Sequence, residues 1–407
     1  MTELDVYLAG VKAGRLIRKD NGNMQFRYEP AYRGAPLSWA LPVQTEAHPH
    51  ALCRAVFGGL LPEGASREAI ARRLGISAEN DYSLLEDIGG DCAGAISVLP
   101  AGYTQNGVPL VEEISKDDLD EMVARLPQRP LAASPDGKTR LSLAGAQPKL
   151  PVILQGGKAF LPLNAAAPTT HIIKPEPIGF EGLVDNEAFC LELAARCGLT
   201  TASAEKSRTT TGLPYLLVER YDRDPTVEPI RRLHQEDFCQ ALGQPSDRKY
   251  QAEGGPSVRD SITLIRDAAA LPAHDVPRFW EALVFNWLIG NCDAHAKNFS
   301  LLYDGGAPTL APLYDLVATN LYEDLTQRLA MSIGTARMLD EVDQGSWVDL
   351  AKSVGLSERY ARESTAAVAE RVHTTVEAMD EDDGAYDDHI HGLCLSILKR
   401  SSELFQP

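Results

Sequence analysis

The amino-acid sequence predicts an α+β protein whose amino-terminal part is rich in strands and whose carboxyl-terminal part is helical. Short β-type stretches separated by turn residues fill the first hundred positions and recur between residues 149 and 219. After residue 245, apolar residues instead recur at helical spacing. At 407 residues, the chain is long enough for two or three packed subdomains with a substantial core.

The composition is that of a folded globular protein. Hydrophobic residues make up 44% of the chain and charged residues 24%, which excludes a disordered or fibrous protein. We find neither a signal peptide nor an apolar run that could span a bilayer, and we expect a cytoplasmic protein without membrane contact. The seven cysteines lack metal-ligand spacing, so we predict reduced thiols in the core. A net charge of -18 predicts that any DNA contact is local or made through a partner.

We predict three domains, with boundaries at 1–126, 127–244 and 245–407. Strands are expected at 4–8, 14–17, 24–28, 92–99, 149–154, 159–163, 171–174 and 214–219. Helices are expected at 67–74, 112–126, 186–197, 276–289 and 357–379. The stretch 127–138 is rich in Pro, Ala, Ser and Gly, which predicts a connector between the first two domains.

The most informative segment follows the apolar helix that ends at Ile289. Asp293 and Asn298 stand five positions apart in a polar loop, the spacing at which protein kinases place a proton-accepting Asp and a Mg²⁺-binding Asn. Asp315 lies downstream and matches the metal-binding Asp of kinases in order. Mg²⁺ takes hard oxygen ligands and commonly only one or two from protein. The set predicts an ATP- and Mg²⁺-dependent phosphotransferase with a protein-kinase-like bilobal fold.

A lysine that binds the ATP phosphates is expected on a strand upstream of this loop. Lys174 ends the predicted strand 171–174, and Glu187 on the next helix could orient its ammonium group, although Glu192 on the same helix is an alternative. Lys297 is predicted to stabilise the transferring phosphate. For His295, a structural role and a role in the site are equally supported.

No Gly-rich kinase loop and no G-x-x-x-x-G-K-[ST] motif occurs in the sequence. The segment 140–149 lies directly before a strand, and its small residues would let backbone N–H groups approach phosphate oxygens. The ATP-binding residues predicted here are Ser142, Ala144, Gly145, Ala146 and Gln147. The backbone at the strand end 218–223 could pair with adenine. On this basis we predict Glu219, Tyr221 and Asp222 as ATP-binding residues. A charged strand end without a ligand explains that stretch equally well.

Assembled in chain order, these segments resemble the HipA family of bacterial serine/threonine kinases, the toxins of toxin–antitoxin pairs. The resemblance runs nearly end to end. It is carried by S-L-A-G-A-Q-P-K at 142–149, T-H-I-I-K at 170–174, D-N-E at 185–187, V-E-R-Y-D-R at 218–223, K-Y at 249–250, D-A-H-A-K-N-F-S at 293–300 and L-Y-D at 313–315.

The resemblance implies a kinase-like fold with an additional amino-terminal mixed α/β subdomain and an all-helical carboxyl-terminal lobe. It implies autophosphorylation of Ser142 and an aminoacyl-tRNA synthetase, such as the glutamyl enzyme, as the protein substrate. It also implies a HipB-type helix-turn-helix antitoxin as the partner that supplies the DNA contacts. Two alternatives stay open: a kinase of small molecules, and a catalytically silent nucleotide-binding corepressor.

Overall fold

A computed structural model of the protein describes residues 2–103, 107–128, 140–382 and 388–405. The chain divides into two compact units, and it passes between them several times. The first unit comprises Met1–Gly179, Ser203–Asp247 and Leu302–Gly306. The second comprises Phe180–Ala202, Arg248–Leu301 and Ala307–Pro407. The predicted connector 127–138 lies, apart from its first two residues, outside the described residues.

The first unit begins with a four-stranded antiparallel sheet in the order β3-β2-β1-β4. Its strands are β1 (Thr2–Leu8), β2 (Val11–Arg18), β3 (Met24–Tyr28) and β4 (Ile96–Pro100), and the helices α1 (His50–Gly58), α2 (Gly64–Leu74) and α3 (Asp81–Ile88) lie between β3 and β4 in the chain. The prediction of a strand at 92–99 is wrong for residues 92–95. Gly94 has a φ of +73°, a left-handed conformation that interrupts extended backbone, so β4 starts at Ile96.

A six-stranded sheet in the order β5-β7-β6-β8-β10-β9 forms the other large element of the first unit. Its strands are β5 (Val111–Ile114), β6 (Leu150–Gln155), β7 (Lys158–Pro162), β8 (His171–Pro175), β9 (Ala204–Arg208) and β10 (Pro214–Glu219). The helix predicted at 112–126 is shorter, because α4 spans Lys116–Arg125. Ser115 caps its first turn by accepting from the Asp118 amide at 3.1 Å. The residues before this cap belong to β5.

Short elements complete the first unit after β10. They are β11 (Arg223–Asp224), β12 (Arg231–Arg232), β13 (His234–Asp237) and the short helix α6 (Phe238–Ala241). The antiparallel pairing of β11 with β12 places Arg223 opposite Arg232. As a result, three arginines that follow β10 contact residues of the amino-terminal part of the unit. They are Arg220, Arg223 and Arg232.

These arginines form a buried ion cluster around Asp91. The Asp91 carboxylate accepts from Arg223 and Arg232 at 2.9 Å each and from Arg220 at 3.4 Å. Asp222 pairs with Arg220 at 2.8 Å. The side chains of Asp91, Asp222, Arg220 and Arg223 are at most 3% exposed. Because Asp91 precedes β4 and the arginines follow β10, the cluster ties the amino-terminal part of the unit to the segment after the six-stranded sheet.

Neutral polar groups complete the cluster. Thr169 donates its hydroxyl to Asp91 at 2.6 Å, and the Gly94 amide donates to Asp222 at 2.6 Å. Burial by itself raises the pKa of both carboxyls. The surrounding guanidinium groups outweigh burial, so the pKa of Asp91 lies well below its usual range and that of Asp222 is lowered to about 2. Both carboxyls are therefore ionised at neutral pH.

The second unit is built mainly from helices. They are α5 (Leu183–Arg196), α7 (Val258–Ala268), α8 (Pro272–Ile289), α9 (Gln344–Ser353), α10 (Glu358–Asp382) and α11 (Asp388–Phe405). Twelve of the 18 residues of α8 are buried, and Trp280 of this helix packs edge-on against Trp347 of α9. In the part of the chain that the structure describes, no helix is both long enough and apolar enough to cross a bilayer.

The prediction of an all-helical carboxyl-terminal part needs a correction. Four short strands occur there: β14 (Ser300–Tyr303), β15 (Thr309–Leu310), β16 (Arg328–Ile333) and β17 (Ala336–Met338). Strands β16 and β17 pair in antiparallel fashion across a turn at Gly334, whose φ is +60°. Strands of two to six residues carry too few alternating positions to stand out from the helical pattern around them.

The ion cluster predicts a large loss of stability in Asp91→Ala, because the substitution removes the carboxylate that pairs with Arg232 and leaves three buried guanidinium groups with only Asp222. We expect the free energy of unfolding at neutral pH to fall by about 3–5 kcal/mol, measured by chemical denaturation. As a control, Asp224→Ala removes one of two carboxylates that pair with Arg231, whose side chain is 49% exposed, and should change stability little.

The same variant also gives a pH signature. A carboxyl whose pKa is depressed in the folded state stabilises it above the unfolded pKa of about 3.9, and this contribution disappears as the pH falls through the folded value. The stability difference between wild type and Asp91→Ala should therefore shrink below about pH 4. A difference that is constant from pH 7 to pH 2 would contradict the ionic role of Asp91.

Candidate active site

The loop that carries Asp293 begins where α8 ends. Gly290 terminates the helix in a left-handed conformation with φ +78°, and its amide donates to the Trp287 carbonyl at 3.0 Å. A Cβ at this position would lie 2.1 Å from Oδ1 of Asn320. Because both the conformation and the space exclude a side chain, glycine sets the direction in which the chain enters the loop.

Asn291 braces the start of this loop from within. Its Nδ2 donates to Oδ1 of Asn286 on α8 at 2.7 Å, and its Oδ1 accepts from the Asp293 amide at 3.0 Å. The Cys292 amide donates to the Thr319 hydroxyl at 2.8 Å, and the Cys292 carbonyl accepts from Ala330 of β16 at 2.9 Å. The backbone directly before Asp293 is therefore fixed by α8 and by β16.

Asp293 and Asn298 are brought together by the turn between them. The Asp293 carbonyl accepts from the His295 amide at 2.7 Å and from Nδ2 of Asn298 at 3.1 Å. This bond uses the amide nitrogen of Asn298, which leaves its Oδ1 as the atom that could bind a cation. The Asp293 carboxylate accepts through Oδ1 from the hydroxyl of Tyr250 at 2.6 Å.

Asp315 has a φ of +51°, which is uncommon for a residue with a side chain. Such strained residues cluster at functional sites, and Asp tolerates the conformation better than most. The preceding residue, Tyr314, donates to the Lys297 carbonyl at 2.7 Å and lies 2.7 Å from the Ser300 hydroxyl. This contact joins the Asp315 segment to the loop. The second unit thus holds five of the predicted site residues: Glu187, Asp293, Lys297, Asn298 and Asp315.

The donor set in this unit fits Mg²⁺. It offers an amide oxygen of Asn298 and a carboxylate of Asp315, both hard oxygen ligands. Among the residues that the structure describes, no group of three or more His, Cys, Asp or Glu side chains is arranged to hold a metal ion. Mg²⁺ in kinases does not need such a group, because one or two protein ligands bind it together with phosphate and water.

His295 and Lys297 are both buried. The His295 ring packs edge-on against the ring of Tyr250, with 5.4 Å between the centroids. The His295 carbonyl accepts from the Asn298 amide at 2.9 Å. These contacts give His295 a part in shaping the turn, whereas the predicted phosphate contact of Lys297 stays a prediction.

The predicted phosphate-covering loop belongs to the first unit and is docked on its amino-terminal part. The hydroxyl of Ser142 is buried and donates to the Leu60 carbonyl at 2.8 Å. Ser66 of α2 donates to the Ala146 carbonyl at 2.7 Å, and the Gly145 carbonyl accepts from the Glu63 amide at 3.1 Å. These contacts hold both ends of the small-residue segment.

Within the loop, Lys149 donates to the Ala144 carbonyl at 2.6 Å. Gly145 adopts a φ of +103°, and a Cβ there would lie 2.9 Å from the Lys149 ammonium nitrogen. Ala144, Gly145 and Gln147 are partly exposed, and Ala146 is exposed. Glycine is therefore needed at position 145 for the path of the loop, and part of the loop is open to solvent.

Lys174 also belongs to the first unit and is buried at the end of β8, where it lies opposite Leu216 of β10. Of its two possible partners, Glu192 is about half exposed and forms an ion pair with Arg196 at 2.6 Å. Glu187 is buried on the same helix, α5. The orientation of Lys174 by Glu187 stays a prediction.

Backbone contacts with adenine were predicted for the stretch at the end of β10, which includes Glu219, Tyr221 and Asp222. The Asp222 carboxylate belongs to the buried ion cluster, and its carbonyl accepts from the Leu233 amide at 2.9 Å. The Glu219 amide donates to the Ser203 carbonyl at 2.8 Å, and the Tyr221 hydroxyl donates to the side-chain oxygen of Gln235. The side chain of Asp222 is therefore structural, and nucleotide contacts by this stretch stay a prediction for its remaining backbone groups.

Comparison with protein families supplies the observation that decides the relationship. Residues 4–99 match the model described as the HipA N-terminal domain, and residues 141–376 match that of the HipA-like C-terminal domain. The chain belongs to the HipA family. The serine/threonine-protein kinase toxin HipA of Shewanella oneidensis is 30% identical to it over 425 residues, which cover 98% of this chain and 95% of that protein.

A further relative and a solved structure extend the comparison. The protein Y4mE of Sinorhizobium fredii, named provisionally as a kinase, is 42% identical over 386 residues, covering 92% of this HipA-family chain and 90% of Y4mE. The structure of HipA from Shewanella oneidensis, in a complex with HipB and its operator DNA, superposes with a TM-score of 0.85 at 26% identity and covers 98% of this chain and 96% of that one. This likeness confirms the predicted fold class.

Sequence reasoning assigned no role to three residues that shape the loop of this HipA-family chain, although Tyr250 and Tyr314 lie in segments that carry the resemblance. Tyr250 contacts the carboxylate of Asp293, Asn291 braces its backbone, and Tyr314 joins the loop to the Asp315 segment. Asn291 and Tyr314 each lie next to or near a predicted site residue, so their position was a usable signal. Tyr250 lies 43 positions before Asp293, and no local pattern connects the two.

Asn291→Ala tests the brace of the loop. The substitution leaves the Asp293 amide and Oδ1 of Asn286 without partners in a buried environment, so the free energy of unfolding should fall by about 1–3 kcal/mol. Chemical denaturation measures this change. Asn21→Ala, in an exposed turn of the first unit, is the control and should stay within about 0.5 kcal/mol of wild type. Equal losses in the two variants would contradict the bracing role.

Proposed function

We propose that the protein is a serine/threonine protein kinase that transfers the ATP γ-phosphoryl group to a protein hydroxyl. The observation that carries the proposal is the turn in which Asn298 donates to the Asp293 carbonyl, because this turn offers a carboxylate and an amide oxygen from one loop. Membership of the HipA family supports the same reaction. Asp293 is the proposed catalytic base, because its carboxylate can accept the proton of the attacking hydroxyl.

The other residues bind and orient the nucleotide in this proposal. Asn298 and Asp315 hold Mg²⁺ through oxygen atoms. When bound, the ion neutralises charge on the β- and γ-phosphates. Lys174, oriented by Glu187, binds the phosphates as a cation, and Lys297 stabilises the transferring group. Backbone groups of Glu219, Tyr221 and Asp222 are the proposed adenine contacts.

The loop from Ser142 to Gln147 is the proposed cover of the ATP phosphates, with contacts from Ser142, Ala144, Gly145, Ala146 and Gln147. Ser142 is also the proposed site of autophosphorylation. Because its hydroxyl is buried against the Leu60 carbonyl, the loop must leave this position before Ser142 can accept phosphate. A phosphate adds up to about two negative charges and could not return to a buried carbonyl oxygen. Phosphorylation would therefore keep the loop out and inactivate the kinase.

We further propose that the protein is the toxin of a toxin–antitoxin pair. The relative from Shewanella oneidensis is named as a toxin, and its structure contains HipB and operator DNA. A net charge of -18 favours DNA contacts through a HipB-type antitoxin over direct binding. An aminoacyl-tRNA synthetase, such as the glutamyl enzyme, is the proposed cytoplasmic substrate, and its phosphorylation would inhibit translation.

Incubation of the purified chain with ATP and Mg²⁺ tests the kinase reaction. We expect one added phosphate on Ser142, detected by intact-mass and peptide mass spectrometry, and no transfer after chelation of Mg²⁺. Asp293→Ala should lower the rate by about 10²–10⁴-fold, because the proton acceptor is lost, while ATP binding is retained. Lys174→Ala should weaken both binding and transfer.

The controls separate the alternatives. Phosphate that appears only on added metabolites would favour a small-molecule kinase. ATP binding without transfer to the chain itself, to bacterial proteins or to metabolites would favour a nucleotide-binding corepressor. Asp293→Ala with wild-type activity would contradict the assignment of the base.

Limited proteolysis tests the proposed release of the Ser142 loop. Trypsin cleaves after Arg140 and Lys149, which flank the loop, and a phosphorylated loop held away from Leu60 should be cut faster than the docked one. We expect faster cleavage of wild type after incubation with ATP, and no such change in Ser142→Ala. Cleavage of wild type at one rate before and after phosphorylation would show that the loop stays in place.

A further inference from the structure

The hydroxyl of Tyr250 contacts the proposed catalytic base directly. It donates to Oδ1 of Asp293 at 2.6 Å, a short distance for a bond between a phenol and a carboxylate oxygen. Hydrogen bonds to an ionised acceptor belong to the stronger class in proteins. With Oδ1 engaged in this way, Oδ2 is the oxygen left to accept a proton from a substrate hydroxyl.

The backbone of Tyr250 is fixed in a tight turn. Its carbonyl accepts from the amides of Glu253 and Gly255 at 2.9 Å each. A Cβ on Gly255 would lie 2.2 Å from the Arg248 carbonyl oxygen, so only glycine allows the chain to close this turn. Tyr250 is therefore held by its own segment and does not depend on Asp293 for its position.

Strand β16 supports both partners of the hydrogen bond. Gln251, next to Tyr250, accepts from the Ser332 amide of β16 at 2.8 Å. Two residues earlier on the same strand, the Ala330 amide donates to the carbonyl of Cys292, next to Asp293, at 2.9 Å. Because the two segments are attached to one strand, the distance between the hydroxyl and the carboxylate is set by the fold.

The ring of Tyr250 is also constrained. It packs edge-on against the buried ring of His295, with an angle of 72° between the planes, and the Lys249 ammonium lies 5.5 Å from its centroid. His295 itself belongs to the turn between Asp293 and Asn298. The aromatic contact therefore fixes the direction from which the hydroxyl approaches Asp293.

We propose that Tyr250 is a positioning residue that orients the carboxylate of Asp293 for proton transfer. This inference rests on the proposed function of Asp293 as the base. Without the hydroxyl, the carboxylate could rotate about its Cβ–Cγ bond, and a smaller fraction of molecules would present an oxygen to the acceptor. Orientation of a reacting group affects the rate of the chemical step and not the affinity for ATP.

Tyr250→Phe tests this role, because it removes the hydroxyl and keeps the ring that packs against His295. With the full-length chain, ATP and Mg²⁺, the rate of Ser142 phosphorylation at saturating ATP should fall by about 10–100-fold, the loss expected for one hydrogen bond to a charged group. The KM for ATP and its dissociation constant should stay within about twofold of wild type. Rates come from intact-mass time courses, and the dissociation constant comes from calorimetry.

Tyr360→Phe is the matched control. Tyr360 is a half-buried tyrosine of α10 whose ring packs against Trp280. Its substitution also removes one phenol hydroxyl from the second unit, and it should leave the rate and the KM unchanged. An equal loss of rate in both variants would overturn the proposal, because the effect would then be one of general stability.

A double-mutant cycle adds a readout that does not use activity. If Tyr250 acts through Asp293, Tyr250→Phe should lower the melting temperature of wild type but have a smaller effect in the Asp293→Ala background. Additive effects would overturn the inference, as would a Tyr250→Phe chain with the wild-type rate or a chain phosphorylated on Tyr250 itself. A wild-type chain without any phosphate transfer would overturn the proposed function, and this inference with it.

Discussion

The buried ion cluster around Asp91 is the interaction on which the first unit depends. It joins residues before β4 to residues after β10, segments that are about 130 positions apart in the sequence. Charges buried this deeply are costly unless each one is paired, so the cluster permits only one arrangement of the segments that supply it. The Ser142 loop shares this frame, because the Ser142 amide donates to the Asp91 carbonyl at 3.0 Å. Asp91 therefore positions both the buried arginines, through its carboxylate, and the Ser142 loop, through its carbonyl.

In the second unit, β16 has a comparable organising role for the proposed base. Two of its backbone amides hold the segments that carry Tyr250 and Asp293. Further contacts come from α8 through Asn291, so the loop is fixed from two sides. Such support from regular elements is what a proton-transfer site requires, because small displacements of a reacting group are costly in rate.

The parts of the site that the sequence predicted are those that lie in continuous segments. Asp293 and Asn298 share one turn, so their spacing carried the prediction of their proximity. Tyr250 reaches Asp293 only because two distant segments meet at β16, and such a contact has no local signature. The same limit applies to Asp222: the strand end suggested backbone contacts with adenine, but the Asp222 carboxylate is buried against Gly94, which lies 128 positions earlier in the sequence. Errors in the bounds of one strand and one helix arose where one residue, Gly94 or Ser115, overrode a longer pattern.

The buried hydroxyl of Ser142 has a consequence for how long one molecule could stay active. If the loop must open before Ser142 accepts phosphate, the waiting time before modification depends on how often it opens, and hence on the free energy of that local fluctuation. Each 1.4 kcal/mol of added loop contacts would lengthen this time about tenfold. The hydrogen bonds from Ser142 and Ser66 would then determine how long the kinase works before it is phosphorylated. This active lifetime could change during evolution through the loop contacts alone, without any change in the residues that transfer phosphate.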